Sequence, residues 1–318
     1  MIGTDILYAA NLLTNGELVA IPTETVYGLA ANAFNGAAVA KIYETKGRPQ
    51  FNPLIIHSNS FEKFSSWGIQ IPEEALLLAE KFSPGPLTLV VPKGNQIPDI
   101  VTAGHPSVAI RIPNHQTCLE LLSSIDFPLA APSANVSGSI SPTSAQHVYE
   151  QFGEKIPYVL DGGTCSIGLE STIISFSGST PALLRLGGLA IEEIENVLGK
   201  TLDKSKILNN ENPEAPGMLS RHYAPKTRLI IGNFEELPLE LKGRKIVTIR
   251  FKDFDKNIPH SNQIILSKNA NLNEAAQSLF AAMRTADKFQ ADLILAEKFP
   301  ESGLGLAIND RLKRAELS

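Results

Sequence analysis

A chain of 318 residues, 43% hydrophobic and 19% charged, is long enough for two domains with buried cores and too apolar for a disordered polymer. Two cysteines, Cys118 and Cys165, exclude a disulfide framework and lack C-x-x-C metal spacing, which makes a reducing, cytoplasmic compartment the default. Residues 1–200 carry 10 Lys+Arg against 18 Asp+Glu, a net of −8, and residues 201–318 carry 18 against 15, a net of +3. The first region therefore lacks the broad cationic field of non-specific nucleic-acid binding, and each of its few cations needs a local reason. No apolar run approaches the roughly 18 residues of a membrane span, and Met1-Ile2-Gly3-Thr4-Asp5 does not resemble a signal peptide, so no membrane partner is expected.

Along the chain, Thr4 is placed to cap a helix that runs toward the stop at Asn15-Gly16. Residues 18–21 are predicted as a buried strand, 37–45 as a helix stopping at Lys46-Gly47, and 53–57 as a short strand. Pro72 can open a helix over 73–82. Further strands are predicted at 87–91, 108–112, 128–131, 158–160, 173–176 and 183–186. Many strands with interspersed helices imply one mixed α/β sheet domain over residues 1–200. The polar run Asn209-Asn210-Glu211-Asn212-Pro213-Glu214-Ala215-Pro216-Gly217 reads as part of a linker, 201–227. Strands at 228–231, 245–250, 263–266 and 292–295, with helices at 271–288 and 306–315, then make a smaller Rossmann-like α/β domain over 228–318. No G-x-G-x-x-G follows its first strand, so dinucleotide binding is not indicated.

The chain contains no P-loop, no G-x-S-x-G elbow and no H-E-x-x-H zinc helix. Any nucleotide must therefore be held by cations and hydroxyls on strand ends and loops, and four segments have that character. Pro22-Thr23-Glu24-Thr25-Val26-Tyr27-Gly28-Leu29 follows a buried strand directly, where α/β proteins bind ligands; a capped helix start is the other reading. Lys46-Gly47-Arg48-Pro49, followed by Asn52-Pro53-Leu54 and His57, sets two cations about a turn in a domain short of them. They can clamp a triphosphate, or they are a solvated helix C-terminus. His57 ends an apolar strand, where a lone histidine is more often a hydrogen-bonded core residue than a catalyst.

In Ser107-Val108-Ala109-Ile110-Arg111-Ile112-Pro113, an arginine inside an apolar strand needs a carboxylate, either the protein's or a substrate's. Ser133-Ala134-Asn135-Val136-Ser137-Gly138 runs on to Ser141-Pro142-Thr143 and can bond phosphate and nucleoside without charge. Alternatively it is a turn ending in a capping box of Thr143 with Gln146. Later, Glu170-Ser171-Thr172 leads into a strand and Arg185 interrupts another.

In order and spacing these segments together resemble the threonylcarbamoyl-AMP synthase family, whose catalytic part is the YrdC-type domain. The likeness covers residues 5–200, Pro216-Gly217-Met218-Leu219-Ser220-Arg221-His222-Tyr223-Ala224-Pro225, and Gly303-Leu304-Gly305-Leu306-Ala307-Ile308-Asn309-Asp310-Arg311-Leu312, as in the longer two-domain members. Ala215, where serine is common, and Leu186, where proline is common, are small departures. The resemblance implies a twisted sheet with a cation-lined concave site. It implies that Thr25, His57, Arg111, Ser133 and Ser171 bind L-threonine or its carbamate. Lys46, Arg48, Asn52, Ser107, Asn135, Thr143 and Arg185 would hold ATP, with Lys46 and Arg48 the catalytic pair. The linker would bring His222 and Tyr223 over the nucleotide. Also implied are bicarbonate as co-substrate, Mg²⁺ arriving with ATP, downstream proteins that transfer threonylcarbamoyl to tRNA, and a weak tRNA contact. A non-catalytic RNA-binding module and a carbamoyltransferase with another acceptor are the rival readings.

Overall fold

The computed structural model describes residues 1–205, 207, 213–218 and 222–317. Within the linker, residues 208–212 and 219–221, which include Asn209–Asn212 of the predicted turn-rich run, lie outside the described residues.

The first sheet is built from β1 (Ile2–Gly3), β2 (Val19–Ile21), β3 (Gly28–Asn32), β4 (Ile55–His57), β5 (Leu87–Pro92), β6 (Ser107–Arg111), β7 (Leu129–Ala130), β8 (Tyr158–Leu160), β9 (Thr172–Ser175) and β10 (Ala182–Arg185). Its ten strands run β1-β8-β2-β3-β7-β4-β6-β5-β9-β10, parallel at β4/β6 and β5/β9 and antiparallel at β2/β3, β5/β6 and β9/β10. The mixed α/β fold agrees with the pattern of the sequence. Alternate side chains enter opposite faces. On one face Ala20, Ile56, Val108 and Ile110 join a large core with Val39, Ile42, Leu78 and Ala79 from the helices Gly36–Lys46 and Glu73–Phe82.

The other face is covered in two places with a gap between them. At one end Val19 and Ile21 pack with Leu13 and Leu121 of the helices Ile6–Thr14 and Gln116–Ser123. At the other, Ala215 and Met218 of the linker pack on Ile55, Ala109, Ile173 and Leu184. His57 and Arg111 share the strand parity of Ile55 and Ala109, so they project into the gap.

Two predicted caps move by one residue. Asp5, not Thr4, caps the first helix by accepting from Tyr8 N at 2.9 Å. Ser144, not Thr143, caps Ala145–Phe152 by accepting from His147 N at 3.3 Å. In both cases a neighbouring residue with the same capping chemistry has the extended backbone that an N-cap needs. The helix Gly36–Lys46 ends at Gly47 with φ +58, the left-handed turn expected there.

The second sheet is all parallel, with β11 (Leu229–Ile231), β12 (Ile246–Arg250), β13 (Gln263–Ile265) and β14 (Leu293–Ala296) in the order β11-β14-β12-β13. The helices Leu272–Lys288 and Leu304–Glu316 close it. This part docks against the first through a shared apolar cluster in which Val26, Ile140 and Leu169 meet Leu279, Phe280 and Ile308. Contact is close enough that a Cβ on Gly168 (φ +76) would stand 2.5 Å from Gln277 backbone.

Candidate active site

Strand ends place the first groups. β4 and β6 are parallel neighbours with His57 opposite Arg111, so both reach the same end of the sheet. The loop after β2 makes a tight turn: Thr23 Oγ1 donates to Val26 O at 2.7 Å and accepts from Thr25 N and Val26 N at 3.2 and 3.3 Å. The hydroxyl does cap backbone amides, but β3 follows rather than a helix, and Thr25 is left facing the cavity.

Thr25, Arg48, His57, Arg111, Ser133, Arg185, His222 and Tyr223 line one cavity, as do Glu170, Pro216 and Gly217. Its water-accessible volume is about 40 Å³. The linker residues form its roof, and Ala224 N donates to Gly138 O at 2.9 Å, which ties that roof to the loop after β7.

Behind the lining stands a second layer. Lys46 Nζ donates to the carbonyl oxygens of Ser133 and Asn135. Asn52 Oδ1 accepts from Arg48 Nη2 at 2.6 Å, and Pro53 O from the same nitrogen at 2.8 Å. Ser171 holds Arg185, accepting Nε at its carbonyl and Nη2 at its hydroxyl, each at 3.0 Å, while Pro216 O takes Nη1 at 3.1 Å. Asn135 donates to Val136 O and Ser139 O, at 2.8 and 2.9 Å.

Two predicted residues lie apart. Thr143 is buried with its hydroxyl 3.3 Å from His147 Nδ1. Ser107 begins β6, four residues and about 13 Å from Arg111 along the same face.

The charges divide into two kinds. Lys46, Arg48 and Arg185 are 1, 7 and 4% exposed, so the solvated helix end considered for the first two does not occur. Among the described residues their hydrogen-bond acceptors are neutral carbonyl, amide and hydroxyl oxygens. Burial and the adjacent Arg48 charge lower the Lys46 ammonium well below its usual range. Burial, with Arg185 nearby, brings Arg48 to about 10, and burial likewise brings Arg185 to about 10. By contrast, Arg111 Nη2 stands 2.8 Å from Glu24 Oε1 in a buried ion pair, and its Nε donates to Gly85 O at 3.2 Å. Arg111 thus has a protein carboxylate as partner, and its guanidinium also borders the cavity.

Glu170 is paired as well: Oε2 meets Arg311 Nε at 2.9 Å and Oε1 accepts Ser141 Oγ at 2.6 Å. Burial works to raise its carboxyl, yet Arg311 and Arg185 hold it down at about 2. Burial, helped by Arg111, lowers His57 to about 3, and burial among cations does the same to His222. Both rings are neutral near pH 7. His57 Nδ1 lies 3.4 Å from Leu129 O, in keeping with a core histidine at the site's edge.

Sequence reasoning passed over both carboxylates. Glu24 was discoverable from the cost of burying Arg111: the Thr23-Glu24-Thr25 run supplies an acid at a neighbouring strand end. Glu170 carried no such signal, because its partner comes from the far end of the chain.

Buried cations from a helix end and from strand ends of a mixed sheet, beside the linker, mark a concave cationic site in an α/β domain with a Rossmann-like appendage. The chain belongs to the threonylcarbamoyl-AMP synthase family. Residues 11–187 match the Sua5/YciO/YrdC family model, described as telomere recombination, and residues 189–316 match the model described as threonylcarbamoyl-AMP synthase, C-terminal domain. A threonylcarbamoyl-AMP synthase of Pyrococcus abyssi is 45% identical over 96% of this chain and 92% of its own. One from Bacillus subtilis is 43% identical over 98% and 92%. The crystal structure of P. abyssi Sua5 complexed with L-threonine superposes with a TM-score of 0.91 at 44% identity, covering 98% of this chain and 94% of that one.

Proposed function

We propose that this protein is an L-threonylcarbamoyladenylate synthase, converting L-threonine, bicarbonate or CO2, and ATP into threonylcarbamoyl-AMP and pyrophosphate. The observation that carries the reading is the set of three buried cations, Lys46, Arg48 and Arg185, bonded only to neutral oxygens among the described residues. Arg185 shares the nearby Glu170 carboxylate with Arg311, whereas Lys46 and Arg48 rest on neutral oxygens among the described residues; buried charge so thinly balanced is costly unless the site receives an anion, and a triphosphate supplies it.

The threonine amine, as the free base, attacks CO2 to form the N–C bond of a carbamate and releases a proton. A carbamate oxygen then attacks the α-phosphorus; the α–β bridging P–O bond breaks and pyrophosphate leaves with its electron pair. No step needs a protein nucleophile. Catalysis is positioning and charge neutralisation: Arg48 faces the phosphates, Lys46 adds its charge from behind the Ser133 and Asn135 carbonyls, and Arg185 bridges the linker and Ser171. Thr25, neutral His57, Arg111, Ser133 and Ser171 form the threonine end, where Arg111 orients the substrate carboxylate in exchange for part of its contact with Glu24. Asn52 and Asn135 fix the clamp, and Thr143 and Ser107, which lie apart from the cavity, take no part in it. His222 and Tyr223 stand over the nucleotide at the linker side of the cavity.

ATP enters as its magnesium complex. Glu24 and Glu170 are committed to arginines, so the ATP phosphates and water would supply the ion's ligands, and the ion would help neutralise the departing pyrophosphate. The product passes to proteins that transfer threonylcarbamoyl to tRNA beside the anticodon, and the +3 region is the part suited to a weak tRNA contact. Among the described residues no helix is long and apolar enough to cross a membrane. The reaction is tested by incubating the protein with labelled bicarbonate, L-threonine and MgATP and resolving the nucleotides. A labelled AMP adduct that requires threonine is expected; its absence with folded protein refutes the reading.

A further inference from the structure

The C-terminal helix Leu304–Glu316 has a buried face, Ile308, Arg311, Leu312 and Ala315, at helical spacing. Three of these are ordinary core residues. The fourth is an arginine with no exposed surface.

Its guanidinium touches three segments at once. Nε contacts Glu170 Oε2 at 2.9 Å on the cavity wall. Nη2 donates to Leu186 O at 2.7 Å, one residue beyond Arg185. Its central carbon lies 5.0 Å from the ring centroid of Tyr223 in the linker roof. Nη1 donates to Asp310 Oδ2 at 2.7 Å, so two carboxylates balance its charge and it is not a free cation for phosphate.

Tyr223 needs such support. Its φ of +67 is a left-handed conformation that a bulky side chain rarely adopts, and it persists only where surroundings over-determine it. Those surroundings belong to the C-terminal domain: Phe280 of Leu272–Lys288 stacks on the ring at 5.5 Å, Arg311 covers it, and the neighbouring His222 N reaches Arg314 O at 3.4 Å.

We infer that Arg311 is a positioning residue for the nucleotide reaction: it fixes the closed placement of Tyr223 relative to Glu170 and Arg185, and through it the C-terminal domain sets ATP affinity. This rests on the synthase reading above. A simple interdomain clamp would predict a loss of stability with no dependence on Tyr223.

A double-mutant cycle separates the two. Arg311→Lys keeps a cation beside Glu170 but loses the planar fork that reaches Leu186 and covers the ring. MgATP affinity is measured by calorimetry for wild type, Arg311→Lys, Tyr223→Ala and the double variant, each checked for native circular dichroism. The lysine substitution is expected to weaken MgATP roughly tenfold with Tyr223 present and less than about twofold in the Tyr223→Ala background. An equal loss in both backgrounds, or none in either, overturns the inference. Should Tyr223→Ala not fold, Tyr223→Leu retains apolar bulk against Phe280 and completes the same cycle. Should wild type bind no MgATP at all, the synthase reading itself fails and the inference falls with it.

Discussion

Arg48 and Arg111 border the same cavity and are held in opposite ways. Arg48 rests on the neutral oxygens of Asn52 and Pro53, whereas Arg111 has a carboxylate, Glu24, within 2.8 Å. On the synthase reading proposed above, the nucleotide end keeps its positive charge for the ligand, and the threonine end is balanced before any ligand arrives. The difference matches the ligands: a triphosphate brings several negative charges, an amino acid one. It also separates two quantities that mutation usually confounds, since removing a paired charge costs stability and removing an unpaired one costs function.

The largest expected effect follows from breaking the pair. Arg111→Ala leaves Glu24 buried without its counter-ion and is expected to lower folding stability by about 3–5 kcal/mol, read by chemical denaturation. Arg111→Met combined with Glu24→Leu should recover most of that loss; a single variant as stable as wild type contradicts the pairing. Arg48→Ala should do the reverse. It leaves no carboxylate stranded, so stability changes little, while each charge-assisted bond lost is worth roughly 1.5–3 kcal/mol, or about tenfold to over a hundredfold in pyrophosphate release. Undiminished turnover in the folded variant removes Arg48 from the clamp.

Acid sharpens the contrast further. His57 has its folded pKa at about 3, below the ordinary 6.5, so on acidification the unfolded chain takes up this proton first. Its contribution to stability is complete above pH 6.5 and drains as pH falls toward 3, by up to about 1.4 kcal/mol per pH unit. Glu170, held at about 2 against an ordinary 4.5, loses its own contribution in the same direction, but only below pH 4.5. Denaturation between pH 7 and 5 should therefore lose stability more steeply in wild type than in His57→Asn; equal slopes would show that burial of His57 is not the cause. The smallest effect belongs to Ser171→Ala, which removes one neutral oxygen from Arg185. A net loss of about 1 kcal/mol, roughly fivefold in the ATP KM, is expected. An unchanged KM would show that the Ser171 and Pro216 carbonyls suffice to hold the guanidinium.

The same distinction governs what the sequence could reveal. Strands rich in Val, Ile and Leu, such as Leu87–Pro92 and Ile246–Arg250, were legible from composition, as was the helix end at Gly47. β3, Gly-Leu-Ala-Ala-Asn, was not: it lacks β-branched residues, and its strand form comes from pairing with β2 and β7. In the site, polar residues after a strand marked Thr25 and Ser133, paired cations at a helix end marked Arg48, and a charge inside an apolar strand marked the Arg111 dilemma. Local sequence held no trace of the Glu170–Arg311 contact, because its partners lie 141 residues apart and meet only once the second domain docks.

The most direct test of the account is pyrophosphate release from MgATP, with L-threonine and bicarbonate each supplied or withheld. Release that requires both is the predicted result, since the clamp supplies only half of a two-ended site. Release indifferent to threonine would contradict it, and would mean that the cations activate ATP toward some other acceptor.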